Sequence, residues 1–337
     1  MAKYRALLVG AGGMGRQWGK NLKACEETDL AAWVDIRPGA AEKAAAKLEL
    51  PGIFTGTDLR AAIAAAKPDF VVDVTIPEAH HDVTLIALEA GLPVIGEKPM
   101  ADTMQRARAM IAASEEAKKL YMVSQSRRYN NNLAALRALI VDQVGDVGIL
   151  NSDFYIGAHF GGFRDEMPNP LLVDMAIHTF DAARYLCGAD PVSVYCEEFN
   201  PPWSWYKGNA TATVIFEMSG GLRYTYRGSW CSEGAHTSWE GDWRAVGPKG
   251  TAVWNGTTAP VAHIVKERGE FHSKTEAVEA TVEAGHEGIA ASLRDFLHAL
   301  DTGQTPMGEC HDNIKSLAMV FGALESAGKR QRVAIEV

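Results

Sequence analysis

Two stretches of the sequence carry side chains able to do chemistry: "PVIGEKPMA" at residues 93–101 and "LLVDMAIHTFD" at residues 171–181. The first begins as a buried strand and then places Glu97 and Lys98 where an apolar run would continue. Pro99 fixes the backbone after them and keeps Lys98 out of helical geometry. An ammonium delivered there can orient a hydroxyl and stabilise alkoxide charge as its proton leaves. A plain strand-end salt bridge between Glu97 and Lys98 is the competing reading, made awkward because adjacent strand residues point to opposite faces. In the second stretch Asp174 and His178 are spaced i, i+4, which sets them on one helical face, while Met175, Ile177 and Phe180 pack elsewhere. Histidine is the natural proton acceptor near neutral pH, and a neighbouring carboxylate favours its protonated form and helps to orient it. Two alternatives stand beside this: a bare surface Asp/His pair, and a metal held by Asp174, His178 and Asp181. The second is weak, because these are only three ligands on one helix and Asp181 reads better as an exposed or capping acid. No metal is expected.

A nucleotide-binding signature stands at the other end of the chain. In "GAGGMG", Gly10, Gly12 and Gly15 form a GxGxxG, with Gly13 and Met14 between them, directly after the first apolar strand and before a helix. Such glycines allow a tight turn, close approach of backbone to a pyrophosphate and close helix packing, and the helix N-terminus attracts the phosphate charge. Asp35 ends the second strand 20 residues after Gly15, where a carboxylate can accept hydrogen bonds from both ribose hydroxyls. A 2′-phosphate would be repelled by Asp35, which favours NAD; Arg37 could bind such a phosphate, so NADP is disfavoured rather than excluded. Thr75, Ile76 and Pro77 of "TIPEAHH" end another strand and are expected to line the cofactor groove, with His81 at the start of the next helix. In "SQSRRY", Gln125 is expected near the nicotinamide and Arg127 near substrate, whereas Arg128 has the commoner alternative of a domain-interface salt bridge.

These residues need elements to hold them. Short apolar runs such as "ALLVG", "LAAWVD", "FVVDVTIP", "PVIGEKP" and "YMVSQ" alternate with amphipathic helices, the pattern of a doubly wound parallel sheet covered on both faces. After "SQSRRYNNN" come helices near Leu133–Val144 and Leu172–Leu186, with a strand near Ile149–Tyr155 between them. Then follow "VSVYCEEF", "ATATVIFEM", "LRYTYRGSW" and "DWRAVGPKGTAVW", strands in series with hairpin signals. Helices near Gly285–Leu300 and Asp312–Ala327 close the chain. The fold class is therefore α/β: a Rossmann domain over residues 1–124, and an α+β domain with a large, mostly antiparallel sheet over 125–337. A length of 337 residues and 47% hydrophobic content suit two cores. With 33 basic against 42 acidic residues the net charge is −9, which repels phosphate backbones and anionic membranes, so neither nucleic acid nor membrane is an expected partner. "MAKYRALLVGAGGMG" lacks the sections of a signal peptide, and no run has the length of a membrane span, so a cytoplasmic location is expected. The cysteines Cys25, Cys187, Cys196, Cys231 and Cys310 are scattered and read as reduced thiols.

The combination of the amino-terminal GxGxxG with "TIPEAHH", "GEKP", "QSRRY" and "DMAIHTFD" resembles the Gfo/Idh/MocA oxidoreductases, over essentially the whole chain. The resemblance implies a Rossmann domain, a C-terminal domain built on a large open sheet, and hydride transfer with a nicotinamide cofactor. It further implies that Lys98 reaches both the nicotinamide ribose and a substrate hydroxyl, that His178 transfers the proton, and that Asp174 is a supporting substrate contact. His81 is read as a cap or cofactor-side contact, and Glu97 as touching the nicotinamide side or fixing the turn. Family members commonly oligomerise through the open sheet, so a homodimer or homotetramer is expected.

The substrate signal is weaker. Tyr155, His159 and Arg164 in "FYIGAHFGGFRDEMPNP" could bind hydroxyl or carboxylate groups. Trp203, Trp205, Trp230, Trp239, Trp243 and Trp254 cluster in one segment; aromatic faces stack on sugar rings, but a subunit interface is the favoured reading here. The leading function is an NAD(P)-dependent dehydrogenase of a cyclic polyol or sugar (an inositol, pyranose or anhydrosugar). An NAD-dependent glycosidase of the same fold and a non-catalytic NAD-binding sensor are the alternatives.

Overall fold

The computed structural model describes residues 3–337; Met1 and Ala2, part of the stretch inspected for a signal peptide, lie outside the described residues. The chain forms two compact units. One runs to Ser126 and takes up Gly288–Ile314; the other comprises Arg127–Glu287 and Lys315–Val337.

The first unit alternates strand and helix: β1 (Tyr4–Val9), α1 (Gly13–Ala24), β2 (Thr28–Val34), α2 (Ala40–Lys47), β3 (Phe54–Gly56), α3 (Leu59–Ala66), β4 (Phe70–Asp73), α4 (Pro77–Glu89), β5 (Val94–Glu97), α5 (Met104–Ala117) and β6 (Tyr121–Ser124). All strand pairs are parallel, in the order β3-β2-β1-β4-β5-β6. Consecutive residues such as Leu7 and Leu8, Val71 and Val72, and Met122 and Val123 are fully buried, as a sheet covered on both faces demands. Helix starts are set locally: Asp58 accepts from the Ala61 N–H, Thr103 from the Arg106 N–H, and Pro77 opens α4, where a missing N–H costs nothing. Strand order reverses between β1 and β4, which puts a ligand crevice at the carboxyl ends of these strands.

The second unit holds α6 (Asn131–Leu139), continued by a π-helical turn, Ile140–Val144, then β7 (Ile149–Tyr155), α7 (Phe163–Glu166), a second π-helical turn, Leu171–Ala176, and α8 (Ile177–Cys187). The strands β8 (Pro191–Phe199), β9 (Thr211–Met218), β10 (Arg223–Ser229), β11 (Asp242–Gly247), β12 (Gly250–Trp254), β13 (Val261–Glu267) and β14 (Lys274–Glu279) follow. After α9 (Gly288–Thr302), the helix α10 (Cys310–Lys329) leads to β15 (Val333–Ala334). The sheet order is β14-β13-β12-β11-β7-β10-β9-β8-β15, antiparallel except for the β7–β10 pair. One face of it is core: Phe180 of α8 packs with its ring centroid 4.9 Å from Phe216 and 5.3 Å from Tyr226. The alternate residues Asn151, Asp153, Thr225 and Arg227 point to the other face and remain accessible.

This partition differs from the expected continuous domain 125–337, because α9 belongs to the first unit. Phe296 packs 5.3 Å from Phe70, the buried Ser292 hydroxyl donates to Ser124 at 2.9 Å, and the Gly308 carbonyl accepts the Val123 N–H at 2.8 Å. An amphipathic helix advertises an apolar face without naming the sheet it covers. Among the described residues, no helix is long and apolar enough to cross a membrane.

Candidate functional site

The glycine turn divides its work between two pairs of residues. Gly10 is left-handed, with φ +100°, and a Cβ there would lie 2.5 Å from the Val74 carbonyl oxygen; one on Gly15 would lie 2.1 Å from the carbonyl oxygen of Gly10. These two glycines pack the turn against the protein. Around Gly12 and Gly13, in contrast, an added Cβ would meet nothing within 4 Å. Their backbone borders open space at the start of α1, whose first turn has no side-chain cap and no acidic residue. Met14, in the same turn, is 47% exposed. The unused N–H groups and the positive end of the helix dipole are therefore left for an anionic ligand.

Asp35, just past β2, is buried and held by donors on both oxygens. Its Oδ2 accepts the Ala11 N–H at 2.7 Å, its Oδ1 accepts the Arg37 N–H at 2.9 Å, and the Arg37 guanidinium adds a two-pronged contact at 2.8 Å per prong. The Arg37 fork, aided by the two backbone donors and opposed by burial, holds the carboxyl at about 2. Asp35 is thus an ionised acceptor, and Arg37 is committed to it rather than waiting for a phosphate. The open glycine backbone, the uncapped helix start and a fixed carboxylate fit a dinucleotide with free ribose hydroxyls.

Other residues near the carboxyl ends of the strands are fixed from below. Asp73 accepts from the Thr75 N–H at 3.0 Å and from its hydroxyl at 2.7 Å, which shapes the turn leading to the 64% exposed Ile76 and to Pro77. Burial pushes the Asp73 carboxyl up, against the pull of His80 and the Thr75 donors. His80, missed by sequence reasoning, is buried with Nδ1 2.9 Å from the Pro99 carbonyl oxygen and Nε2 3.1 Å from that of Thr75. Both ring nitrogens thus face carbonyl oxygens, which only accept. His80 thereby ties the turn after β4 to the turn after β5. His81 sits in the second half of the opening of α4, half-exposed, with Nδ1 2.8 Å from its neighbour Asp82.

Glu97 is buried at the end of β5; it accepts the Trp18 indole N–H at 2.7 Å and the Lys98 N–H at 3.2 Å. Burial raises its pKa and these donors oppose the rise. Glu97 fixes the turn from which the half-buried Lys98 projects, and ties it to α1. At the end of β6 the buried Gln125 has both amide atoms without a hydrogen-bond partner among the described residues, an unspent donor and acceptor.

In the second unit Asp174 lies in a π-helical turn and His178 in the first turn of α8, so they do not share a regular α-helical stack. Both are nonetheless half-buried in a stretch where Met175, Ala176, Ile177, Thr179 and Phe180 are buried, so the helix turns both away from its packed face. Arg164 donates to Asp174 at 2.6 Å, and its guanidinium lies 4.9 Å over Phe160 and 4.7 Å over Phe163. The structure thus brings Arg164 to Asp174. Arg127 donates to the Trp239 carbonyl and lies 3.5 Å from the Met175 sulfur.

Three readings are corrected. Asp181 is neither exposed nor a cap: it is buried, takes a two-pronged contact from Arg128 at 2.7 and 2.8 Å, and accepts from Ser316 at 2.6 Å, which removes it from any metal set. Tyr155 shares the accessible sheet face with Asp153, opposite the face on which α8 packs, so it is not gathered with Asp174 and His178. Trp230, Trp243 and Trp254 are buried core residues, whereas Trp203 and Trp239 are exposed; strand alternation, invisible in a count of tryptophans, decides this. His159 is exposed, stacked 3.7 Å from Trp205 and 2.6 Å from Glu233. Two further groups escaped sequence reasoning: the Tyr226 hydroxyl and the Trp230 indole N–H are buried without a hydrogen-bond partner among the described residues.

Comparison with known proteins fits this architecture. The description "Oxidoreductase family, NAD-binding Rossmann fold" matches residues 4–125, and that of the Gfo/Idh/MocA C-terminal domain matches residues 134–253. An uncharacterized protein of Sinorhizobium fredii is 30% identical over 99% of this chain and 96% of its own length. Inositol 2-dehydrogenase of Rhizobium meliloti is 26% identical over 97% of this chain and 98% of its own. An Agrobacterium radiobacter oxidoreductase, crystallised with NAD+, L-tartaric acid and magnesium, superposes with a TM-score of 0.87 at 21% identity, covering 99% of each chain. The protein belongs to the Gfo/Idh/MocA family of oxidoreductases, and its first unit is that family's NAD-binding Rossmann domain.

Proposed function

We propose that this oxidoreductase transfers a hydride between a secondary alcohol of a sugar or polyol and NAD. The observation that carries the reading is the pairing of chemistries at the carboxyl ends of the first unit's strands. The open Gly12–Gly13 backbone and the ionised Asp35 suit a dinucleotide, and the same side of the sheet delivers Lys98 on a turn braced by Glu97 and His80. The bound nicotinamide supplies the hydride acceptor. In this reading Lys98 holds the reacting hydroxyl and favours its alkoxide, Asp174 holds a second substrate oxygen, and His178 takes the hydroxyl proton. Gln125 offers its unspent donor and acceptor to the carboxamide of the nicotinamide. Commitment of Arg37 to Asp35 favours NAD over NADP. The sugar or polyol class is supported by relatives such as the inositol 2-dehydrogenase. We further assign the accessible face of the nine-stranded sheet to association with a second copy of the chain.

The test is formation of reduced cofactor with inositols, aldoses, anhydrosugars and sugar acids, with NAD and NADP in parallel. Turnover with NAD is expected, and His178→Asn should lower kcat by about 10²–10⁴-fold, the range for a lost general base. Unimpaired kcat in both His178→Asn and Lys98→Met would sink the assignment. Release of an aglycone with no net reduced cofactor would favour the glycosidase instead.

A further inference from the structure

A cluster of hydrogen-bond donors in the second unit bears on the substrate, and its use rests on the dehydrogenase reading above. Arg127 is half-buried, and the groups it donates to are neutral: the Trp239 carbonyl and the Met175 sulfur at 3.5 Å. Among the described residues it makes no ion pair. Glu240 acts on it electrostatically without pairing, and burial lowers its pKa. A cation so placed loses hydration with no ion-paired carboxylate to replace it. Arg164, the other cation of this region, is already paired with Asp174 at 2.6 Å. Arg127 is therefore the positive charge left to be neutralised.

Two further donors lie in the same region. The Tyr226 hydroxyl is buried, without a hydrogen-bond partner among the described residues, and within electrostatic range of Arg127. It rests over Gly228, where a Cβ would lie 2.1 Å from the hydroxyl oxygen, so the glycine makes the room it occupies. The Trp230 indole N–H is likewise buried and unpartnered. Phe160 joins the parts: its ring centroid lies 5.1 Å from Trp230 and 6.3 Å from Trp239, with the Arg164 guanidinium 4.9 Å over it. Phe160 and Trp239 are 45% and 47% exposed, leaving apolar ring faces available beside the cation. A ligand that satisfies this set presents acceptor oxygens carrying one negative charge next to a face of C–H groups.

We propose that the substrate is a sugar carboxylate, a uronate or aldonate, whose carboxylate is bound by Arg127 with help from Tyr226, and whose ring or chain lies against Phe160 and Trp239. Arg127 is then a specificity-determining residue that takes no part in the hydride or proton transfer.

The test sets D-glucuronate, D-galacturonate and D-gluconate against D-glucose, D-galactose and myo-inositol with NAD, reading both reduced-cofactor formation and quenching of tryptophan fluorescence on binding. The acids are expected to exceed their neutral counterparts in kcat/KM by at least about 10-fold. Arg127→Met should lower kcat/KM for the acid by about 10–100-fold, chiefly through KM, as loss of a charge-assisted contact does. The acid-to-neutral ratio should collapse with it, a change that a merely weakened fold does not produce. Should Arg127→Met fail to fold, Tyr226→Phe removes only a hydroxyl and should raise KM for the acid by about 3–10-fold. Turnover of neutral sugars equal to or better than that of acids overturns the proposal while sparing the dehydrogenase. Quenching by acids without any reduced cofactor keeps the ligand class and removes the dehydrogenase. The absence of both quenching and turnover with the acids overturns the proposal.

Discussion

Gly12 and Gly15 belong to one motif yet answer to different physics. A methyl on Gly15 would collide with the carbonyl oxygen of Gly10 at 2.1 Å, whereas one on Gly12 enters open space from an ordinary backbone conformation, φ −72°. Gly15→Ala should therefore lower stability by about 1–3 kcal/mol through overpacking. Gly12→Ala should stay within about 0.5 kcal/mol of wild type and still weaken NAD binding by about 10-fold or more, because the methyl takes the ligand's space. Thermal melts paired with NAD titrations check this, and wild-type affinity in Gly12→Ala would refute the cradle. At this scale the motif residues were legible because each is defined by its neighbours in sequence. His80 was not: the choice between two adjacent histidines depends on the rotation of α4, and that is set by tertiary packing. Tyr155 and Tyr226 likewise differ only in which face of the sheet their strand position selects.

Among the elements, α9 is the one whose allegiance carries energy. Phe296 is fully buried and packs 5.3 Å from Phe70 in β4. Phe296→Ala should destabilise the first unit by about 3–5 kcal/mol, the usual cost of emptying a buried aromatic site. Denaturant titration monitored alongside NAD binding is the measurement; a loss confined to the second unit would contradict the partition. The parallel strands could be read from sequence because burial on both faces leaves nearly unbroken apolar runs. The strand β14 could not: it is an exposed edge, "KTEAVE", whose charges protect an open edge and erase the alternating signal. The π-helical turn at Leu171–Ala176 escaped for another reason. One extra residue per turn leaves the apolar spacing almost unchanged over so short a stretch, yet it changes how Asp174 stands to His178.

For the whole molecule, the accessible sheet face sets the expected assembly. Asn151, Asp153, Thr225 and Arg227 give it a mixed surface, and Ile149, Val192 and Phe199 are each about half exposed, at 49%, 47% and 49%. Light scattering should return the mass of a dimer or tetramer, and a charge placed at Ile149 should shift it toward the single chain; a monomer at all concentrations would remove the assignment. The division of the chain has a separate consequence, for biosynthesis. Both units are closed by sequence beyond Glu287: α9 supplies the partner of Phe70, and β15 pairs with β8. While the ribosome is still translating that stretch, the emerging Rossmann sheet has an uncovered aromatic surface and the second sheet an unfinished edge. Both are surfaces on which a chaperone, or another nascent chain, can act until the residues beyond Glu287 have emerged.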